Sequence, residues 1–562
     1  MRWVEYMAFL AIVVVLARPA GVYLARVFAG ERTWLDPVLR PVEGGLYRLF
    51  GVRAEEEMSA GVYFFCFLLF GLLGTVALFA LMMLQLALPG GPADKYLSTP
   101  MTPDLALNTA ISFATTTTWQ AYAGESTMRY VTQAVGLVSQ NFLAGAAGLA
   151  VGIAFIRGLA RERSTTLGNF WVDLTRATLW VLLPIALVGA VVLIWQGVPM
   201  NLAAYTQAHT LEGPVQTIAQ GPVAALELIK NLGTNGGGFF NVNGAHPYEN
   251  PTPITGFLAL LAIAVLPAAL TMTFGEMTGR RRAGQVLLGV MVALFVGGLW
   301  VCDQAEATAP THLAAAHVVG GNMEGKEVRF GVGDSVLTAL VTSNGATGSY
   351  NSMHDSYEPM GVLVPLTNML VGEVTFGGLG AGIFAIVMIA LIAVFLGGLM
   401  IGRTPAYLGK QVTAEETKLV ALYMLLTPLV VMSLSALALV TKEGLAGIGT
   451  NPGPHGLTEV VYAYASSMAN NGQTMASLNA NSLFWNATTG LAMLAGRFGL
   501  AGLALMLAGR FAAQGRQAVT TGSLPDDTVS FGLLVVGTVI IVGALNFIPA
   551  LVLGPVVEAL QR

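Results

Sequence analysis

Ten apolar stretches, each long enough to cross a bilayer, recur along the chain near 3–25, 60–88, 131–156, 174–196, 255–275, 284–302, 361–402, 419–441, 483–507 and 529–553. A helix needs about 20 residues to cross about 30 Å of hydrocarbon, so ten such stretches leave little chain for anything else. Only 10% of the 562 residues are charged and 55% are apolar, with mean hydropathy +0.68. That balance excludes a soluble enzyme domain and gives no basis for binding nucleic acid. The lipid bilayer is the solvent, and the expected class is an all-α integral membrane protein, because a helix satisfies its own backbone amides where lipid offers no partners. The first stretch reads as a retained helix: only Arg2 precedes it, and no Ala-x-Ala cleavage site follows. Cys66 and Cys302 lie within or beside apolar stretches, far apart, and read as packing residues.

Cations are distributed unevenly between the connecting segments. Segments 26–59, 157–176, 280–283, 403–418 and 497–516 hold eighteen of the 27 Lys and Arg residues, and the alternate segments with both termini hold eight. By the positive-inside rule the first set faces the cytoplasm, and the termini and the alternate segments face outward.

Each of four outward segments contains a short, weakly apolar run, then a polar cluster, then a new long apolar stretch. The clusters are "ATTTTWQAYAGE" (114–125), "LGTNGGGFFN" (232–241), "VTSNGATGSY" (341–350) and "SSMANNGQTM" (466–475). Taking Gln120, Gly236, Gly345 and Gly472 as equivalent gives separations of 116, 109 and 127 residues. Near-equal spacing predicts four repeats, each a helix, a descending half-helix, a polar loop and a helix. The half-helices are expected at 102–114, 221–233, 333–343 and 458–468, too short to span. The expected boundaries are 60–157, 174–275, 284–402 and 419–507 for the repeats, with flanking helices at 1–28 and 529–555. Non-helical backbone at membrane depth must be buried in protein or line a cavity, and four such loops can protect one another around one pseudo-four-fold axis. Loops rich in Gly, Thr and Asn offer carbonyls and hydroxyls without formal charge, the chemistry of a filter for a monovalent cation. Half-helix C-termini aimed at the axis add partial negative charge.

The stretch "KNLGTNGGGFFNVNGAHPYENPTP", with "TTTTWQAYAGE", "SNGATGSYNSMHDS", "GEVTFGG" and "NNGQ", closely resembles the signatures of the potassium-binding A subunit of Kdp-type potassium-transporting ATPases. That family sits in the superfamily of Trk and Ktr transporters, and the resemblance runs from the first apolar stretch to the last. It implies a potassium-selective subunit that binds K+ in a filter and passes it to a partner. It places Thr234, Asn235 and Gly236 in the second filter segment, Ser343, Asn344 and Gly345 in the third, and Asn470, Asn471 and Gly472 in the fourth. In the first segment Gln120 holds the glycine position after Thr117, Thr118 and Trp119, which breaks four-fold equivalence and leaves the local register open by a residue or two. It further implies a P-type ATPase partner of the Kdp B type that uses ATP and Mg2+, a C-type subunit and a small F-type subunit. The implied location is the bacterial cytoplasmic membrane, with ions leaving sideways toward the partner.

The seventh apolar stretch, 361–402, is about twice the length a span requires, and "VGEVTFGGLGAG" at 371–382 has a glycine density that breaks helices. A discontinuous helix is expected there, of the kind that borders ion sites. Glu373 then lies at membrane depth as a gate or ion-route residue, or as a structural carboxylate bonded to the loop. Arg403 and Arg497 read as helix-end cations by default, and the resemblance suggests a positive block under the filter. The chain contains no G-x-x-x-x-G-K-[ST] and no Asp-Lys-Thr-Gly phosphorylation motif, so ATP hydrolysis is expected in the partner. Two other readings are a self-sufficient Trk- or Ktr-like potassium channel driven by the membrane potential, and an intramembrane enzyme. The enzyme would need a nucleophile and base at matching depth, and only "SMHDS" (352–356) sets Ser, His and Asp together.

Overall fold

The computed structural model describes residues 2–88, 91, 94–310, 320–402, 405–516 and 525–561. Its principal helices in the first half are α1 (Arg2–Ala29), α2 (Asp36–Phe50), α3 (Ala60–Ala87), α4 (Pro103–Ala114), α5 (Thr132–Ala160), α6 (Phe170–Trp195), α7 (Val223–Leu232) and α8 (Pro253–Thr278). In the second half they are α9 (Arg281–Glu306), α10 (Gly331–Asn344), α11 (Pro359–Leu370), α12 (Ala381–Ile401), α13 (Ala414–Val440), α14 (Pro454–Ala469), α15 (Leu483–Ala513) and α16 (Val529–Gln561). Among the described residues ten are long and apolar enough to cross a membrane: all but α2, α4, α7, α10, α11 and α14.

Burial sorts the ten into an inner and an outer set. The most apolar windows of α5 and α12 are 83% and 78% buried, whereas those of α3, α13, α1 and α16 are 17%, 28%, 33% and 33% buried. An apolar helix left so exposed needs lipid or another apolar helix against it, so the second set forms the outer rim of the helix bundle. α1 lies along α8 where Gly21 lets the backbones meet; a Cβ there would come within 2.7 Å of the Ala269 carbonyl.

α4, α7, α10 and α14 hold 12, 10, 14 and 16 residues, about 15–24 Å of helix, so none crosses. They match the expected half-helices to within a few residues at each end. Proline opens α4 and α14 at the first helical position, where its missing N–H costs nothing.

The long seventh stretch is broken as expected. α11 stops at Leu370 and α12 starts at Ala381, and Gly372, Glu373, Phe376 and Gly380 between them are left-handed. This non-helical backbone is shielded from lipid by α5, whose Gly148 and Gly152 let it approach; a Cβ on Gly152 would lie 2.7 Å from the Gly380 Cα.

Among the described residues there are also two small antiparallel hairpins, Thr206–His209 with Val215–Ile218 and Ala406–Tyr407 with Lys410–Gln411. Lys410 caps two helix C-termini at once, its ammonium donating to the carbonyls of Phe511 (2.8 Å), Gly158 (3.4 Å) and Arg161. Burial pulls that amine down to about 8.

Candidate ion site

Each half-helix hands over to the same backbone shape. An amide returns to the carbonyl five residues earlier: Thr117 to Ser112 at 2.9 Å, Asn235 to Lys230 at 2.8 Å, Thr347 to Thr342 at 3.2 Å and Asn471 to Ser466 at 2.9 Å. The residues on either side of that amide are left-handed in all four cases: Thr116 and Thr118, Thr234 and Gly236, Ala346 and Gly348, Asn470 and Gly472.

These segments close a ring. The Thr118 hydroxyl donates to the Asn235 carbonyl. A Cβ on Gly236 would collide with the Thr347 carbonyl, one on Gly348 with that of Asn471, and one on Gly472 with that of Thr117. The first segment therefore abuts the second, the second the third, the third the fourth, and the fourth the first. Every contact is made to the carbonyl of the residue between the two left-handed ones. At Gly236, with φ +83°, a side chain is disfavoured by the backbone conformation as well as by its neighbour.

The ring separates two cavities. Thr118, Gly237, Gly348 and Gly472 line an outer one of 630 Å³ together with Gln120. Thr116, Thr234, Ala346 and Asn470 line an inner one of 40 Å³ together with Glu373, Tyr423 and Arg497. The first left-handed residue of each segment thus faces inward, and the opposite face of the ring opens on the larger space.

This geometry differs from the register read off the sequence in two segments. In the first, Thr118 rather than Gln120 is equivalent to Gly236; Gln120 stands on the outer rim, donating to Tyr122 (3.0 Å) and the Gly238 carbonyl (3.1 Å) and accepting from the Gly238 amide (2.8 Å). In the third, Ser343 and Asn344 are the last turn of α10 and Gly345 is its cap, while Ala346, Thr347 and Gly348 enter the ring. The Asn344-Gly345 pair imitates Asn235-Gly236 in sequence, but α10 is not yet finished there. The second glycine, three residues on, was the available signal. Thr117, Thr118, Thr234, Asn235, Gly236, Asn470, Asn471 and Gly472 all stand in the ring. Arg403 lies outside the described residues.

The break between α11 and α12 reaches the ring at two points. The Leu379 amide donates to the Thr234 hydroxyl at 2.7 Å, and the Asn471 carboxamide donates to Glu373 at 2.6 Å. Glu373 is 3% exposed, so although the four polar clusters hold no carboxylate near the axis, the fold brings one beside the fourth segment. Arg497 enters the same inner cavity from a π-helical turn at Ala495–Gly499 in α15, a common device for re-aiming one side chain. Its guanidinium donates to the Ala144 carbonyl at 2.8 Å and lies 5.5 Å from the Phe67 ring.

Sequence reasoning missed the support behind the second segment. Lys230, whose carbonyl holds the Asn235 and Gly236 amides, is fully buried, and its ammonium contacts Glu227 (2.6 Å), Glu249 and Asn243 (2.8 Å). Glu249 also accepts from the Phe240 amide at 2.8 Å, tying the outer loop to the half-helix. The Glu227 and Lys230 spacing of three on one helix was the visible hint. In the outer vestibule His354 meets the Tyr462 hydroxyl at 2.8 Å, and burial, with Lys326 nearby, pushes its imidazole down to about 3, so it is neutral at ordinary pH.

A family model described as Potassium-transporting ATPase A subunit matches residues 7–560. The chain is 49% identical over 556 residues to a Potassium-transporting ATPase potassium-binding subunit of Methylorubrum extorquens, covering 99% of this chain and 97% of that one. It is 48% identical over 582 residues to the protein of the same description from Acidobacterium capsulatum, covering 99% and 98%. With that from Bradyrhizobium diazoefficiens it shares 47% over 558 residues, again 99% and 98%.

Proposed function

Because the chain belongs to the family of potassium-transporting ATPase A subunits, we propose that it binds K+ from outside the cell and passes it inward as the ion-selecting subunit of an ATP-driven uptake pump. K+ enters the outer cavity, sheds water against the carbonyls of the four ring segments, and moves on to the inner cavity. The filter consists of Thr116–Thr118, Thr234–Gly236, Ala346–Gly348 and Asn470–Gly472, one segment from each of four helix–loop–helix repeats, with α1 and α16 as flanking helices. A left-handed residue on either side of each middle residue turns carbonyls toward the axis, and the C-terminal ends of α4, α7, α10 and α14 add partial negative charge. The observation that carries this reading is the closed cycle of contacts through Thr117, Asn235, Thr347 and Asn471, with one cavity on each side.

Glu373 helps to hold the ion below the filter, and Arg497 blocks a straight path to the cytoplasm by charge. The ion leaves sideways to a P-type ATPase partner of the Kdp B type, which uses ATP and Mg2+, in a complex with C-type and small F-type subunits. The membrane is the bacterial cytoplasmic one, with the filter loops and termini outward, in keeping with the arginine-rich segments at the other face. The test is tracer K+ uptake in cells lacking other potassium uptake systems. ATP-dependent uptake is expected only when the chain is co-expressed with its partners; equal uptake by the chain alone would establish the self-sufficient channel instead.

A further inference from the structure

α2 carries an apolar stripe on the side turned away from the protein, which a helix on a soluble protein would keep polar. Val38, Val42, Gly45 and Leu49 fall on one stripe at intervals of four, three and four residues. The three side chains are 68%, 46% and 73% exposed, and Trp34 just before the helix is 80% exposed. The side turned to the protein carries Glu43 and Tyr47, and it docks together with Leu39 and Leu46, which pack half-buried against the core. Glu43 accepts from Arg176 at 3.0 Å, from Trp180 at 3.1 Å and from the Tyr47 hydroxyl at 2.6 Å. A soluble surface helix buries its apolar stripe and wets its charges.

The position of α2 identifies the medium that takes the stripe. Residues 30–35 join it to the end of α1 and residues 51–59 to the start of α3, both membrane-spanning helices. The first turns of α3 expose Val62 and Phe65 by 50% and 64%, so the apolar outer rim already begins at this level. α2 is thus held at the edge of the bilayer by the two spans that flank it. Arg48 is exposed beside the stripe, and Arg40, paired with Asp36 at 2.6 Å, lies on the side away from it. A helix with an apolar stripe, a flanking cation and a terminal Trp suits the boundary between headgroups and acyl chains.

We propose that α2 is an interfacial helix that sinks Trp34, Val38, Val42 and Leu49 into the acyl-chain boundary of the leaflet on the arginine-rich side, with Glu43 as the pin that holds it to the α6 helix. The occupant of the stripe is lipid. The net charge of this segment is small, since Glu31, Asp36, Glu43 and Glu55–Glu57 offset its arginines, so the attachment depends on apolar burial and little on anionic lipid.

The test uses the full complex in phosphatidylcholine vesicles, with and without phosphatidylglycerol. Nitroxides are attached in turn at Val38→Cys, Val42→Cys, Leu49→Cys and Arg40→Cys, in a Cys66→Ser, Cys302→Ser chain assembled with cysteine-free partners. A several-fold excess of relaxation by oxygen over a water-soluble nickel chelate is expected at 38, 42 and 49 in both lipids, and the reverse at 40. Water-like access at all three stripe positions would overturn the proposal, and so would shielding from both relaxants, which would identify a protein cover. A second measurement needs no engineered cysteine: quenching of tryptophan emission by lipids brominated high on the acyl chain is expected to fall in Trp34→Phe, and unchanged quenching would count against the helix lying in the interface.

Discussion

The Asn471 carboxamide nitrogen lies 2.6 Å from a carboxylate oxygen of Glu373, joining the fourth ring segment to the break between α11 and α12. The same nitrogen lies 3.3 Å and 3.2 Å from the carbonyls of Thr342 and Ser343, so one amide ties together three elements remote in sequence. Glu373→Gln keeps a carbonyl oxygen for this bond and removes the group's capacity to carry charge. The expected outcome is a folded complex whose half-saturating K+ concentration for ATP hydrolysis rises roughly tenfold, equivalent to about 1.4 kcal/mol. An unshifted K+ dependence would reduce Glu373 to a structural role.

The register of the third segment can be tested with two glycines three residues apart. Gly348 has φ +66° and faces the Asn471 carbonyl, whereas Gly345 caps α10 with an ordinary negative φ and faces the Ile263 side chain. Gly348→Ala is expected to lower K+ affinity on the order of tenfold and to weaken discrimination against Rb+ and Na+, with a much smaller effect from Gly345→Ala. Ion competition in ATPase assays would read the difference, and the opposite ranking would return the filter to the Ser343–Gly345 register.

Removing the cation from the buried cluster behind the second segment leaves Glu227 and Glu249 without it. Lys230→Met is expected to destabilise the protein by about 3–5 kcal/mol, since breaking a buried pair strands the remaining charges. Thermal unfolding of the purified complex measures this, and Glu249→Gln combined with Lys230→Met should recover part of the loss. Additive losses would argue against a coupled cluster.

His455 in the first turn of α14 sits between Asp355 at 3.0 Å and Glu558 at 2.9 Å. Burial alone would lower its imidazole, but hydrogen bonds to both carboxylates lift it to about 9. A group whose pKa is raised on folding stabilises fully below its unfolded value, about 6.5, and loses that contribution as pH climbs through the folded value. Melting temperature is therefore expected to decline between about pH 6.5 and pH 9. His455→Gln should melt lower at pH 6.5 and lack the decline; a variant with an unchanged pH profile would exclude the clasp.

Length and apolar content alone made the ten spans readable, because a membrane-crossing helix is specified by local composition: its backbone bonds are internal and its solvent is uniform. The break in the seventh stretch was legible for the same local reason, from glycine density around Glu373. The four half-helices were visible as apolar runs too short to cross. The register of the ring was not legible. Whether Gly345 or Gly348 meets Asn471, and whether Thr118 or Gln120 stands level with Gly236, depends on where a half-helix stops and on which carbonyl of a segment more than a hundred residues away fills the adjacent space. The pairing of Glu373 with Asn471, the burial of Lys230 between two carboxylates and the aim of Arg497 into the inner cavity are likewise products of packing among distant elements. Such contacts leave no periodic trace in the chain, since each is satisfied by a single side chain in a single place.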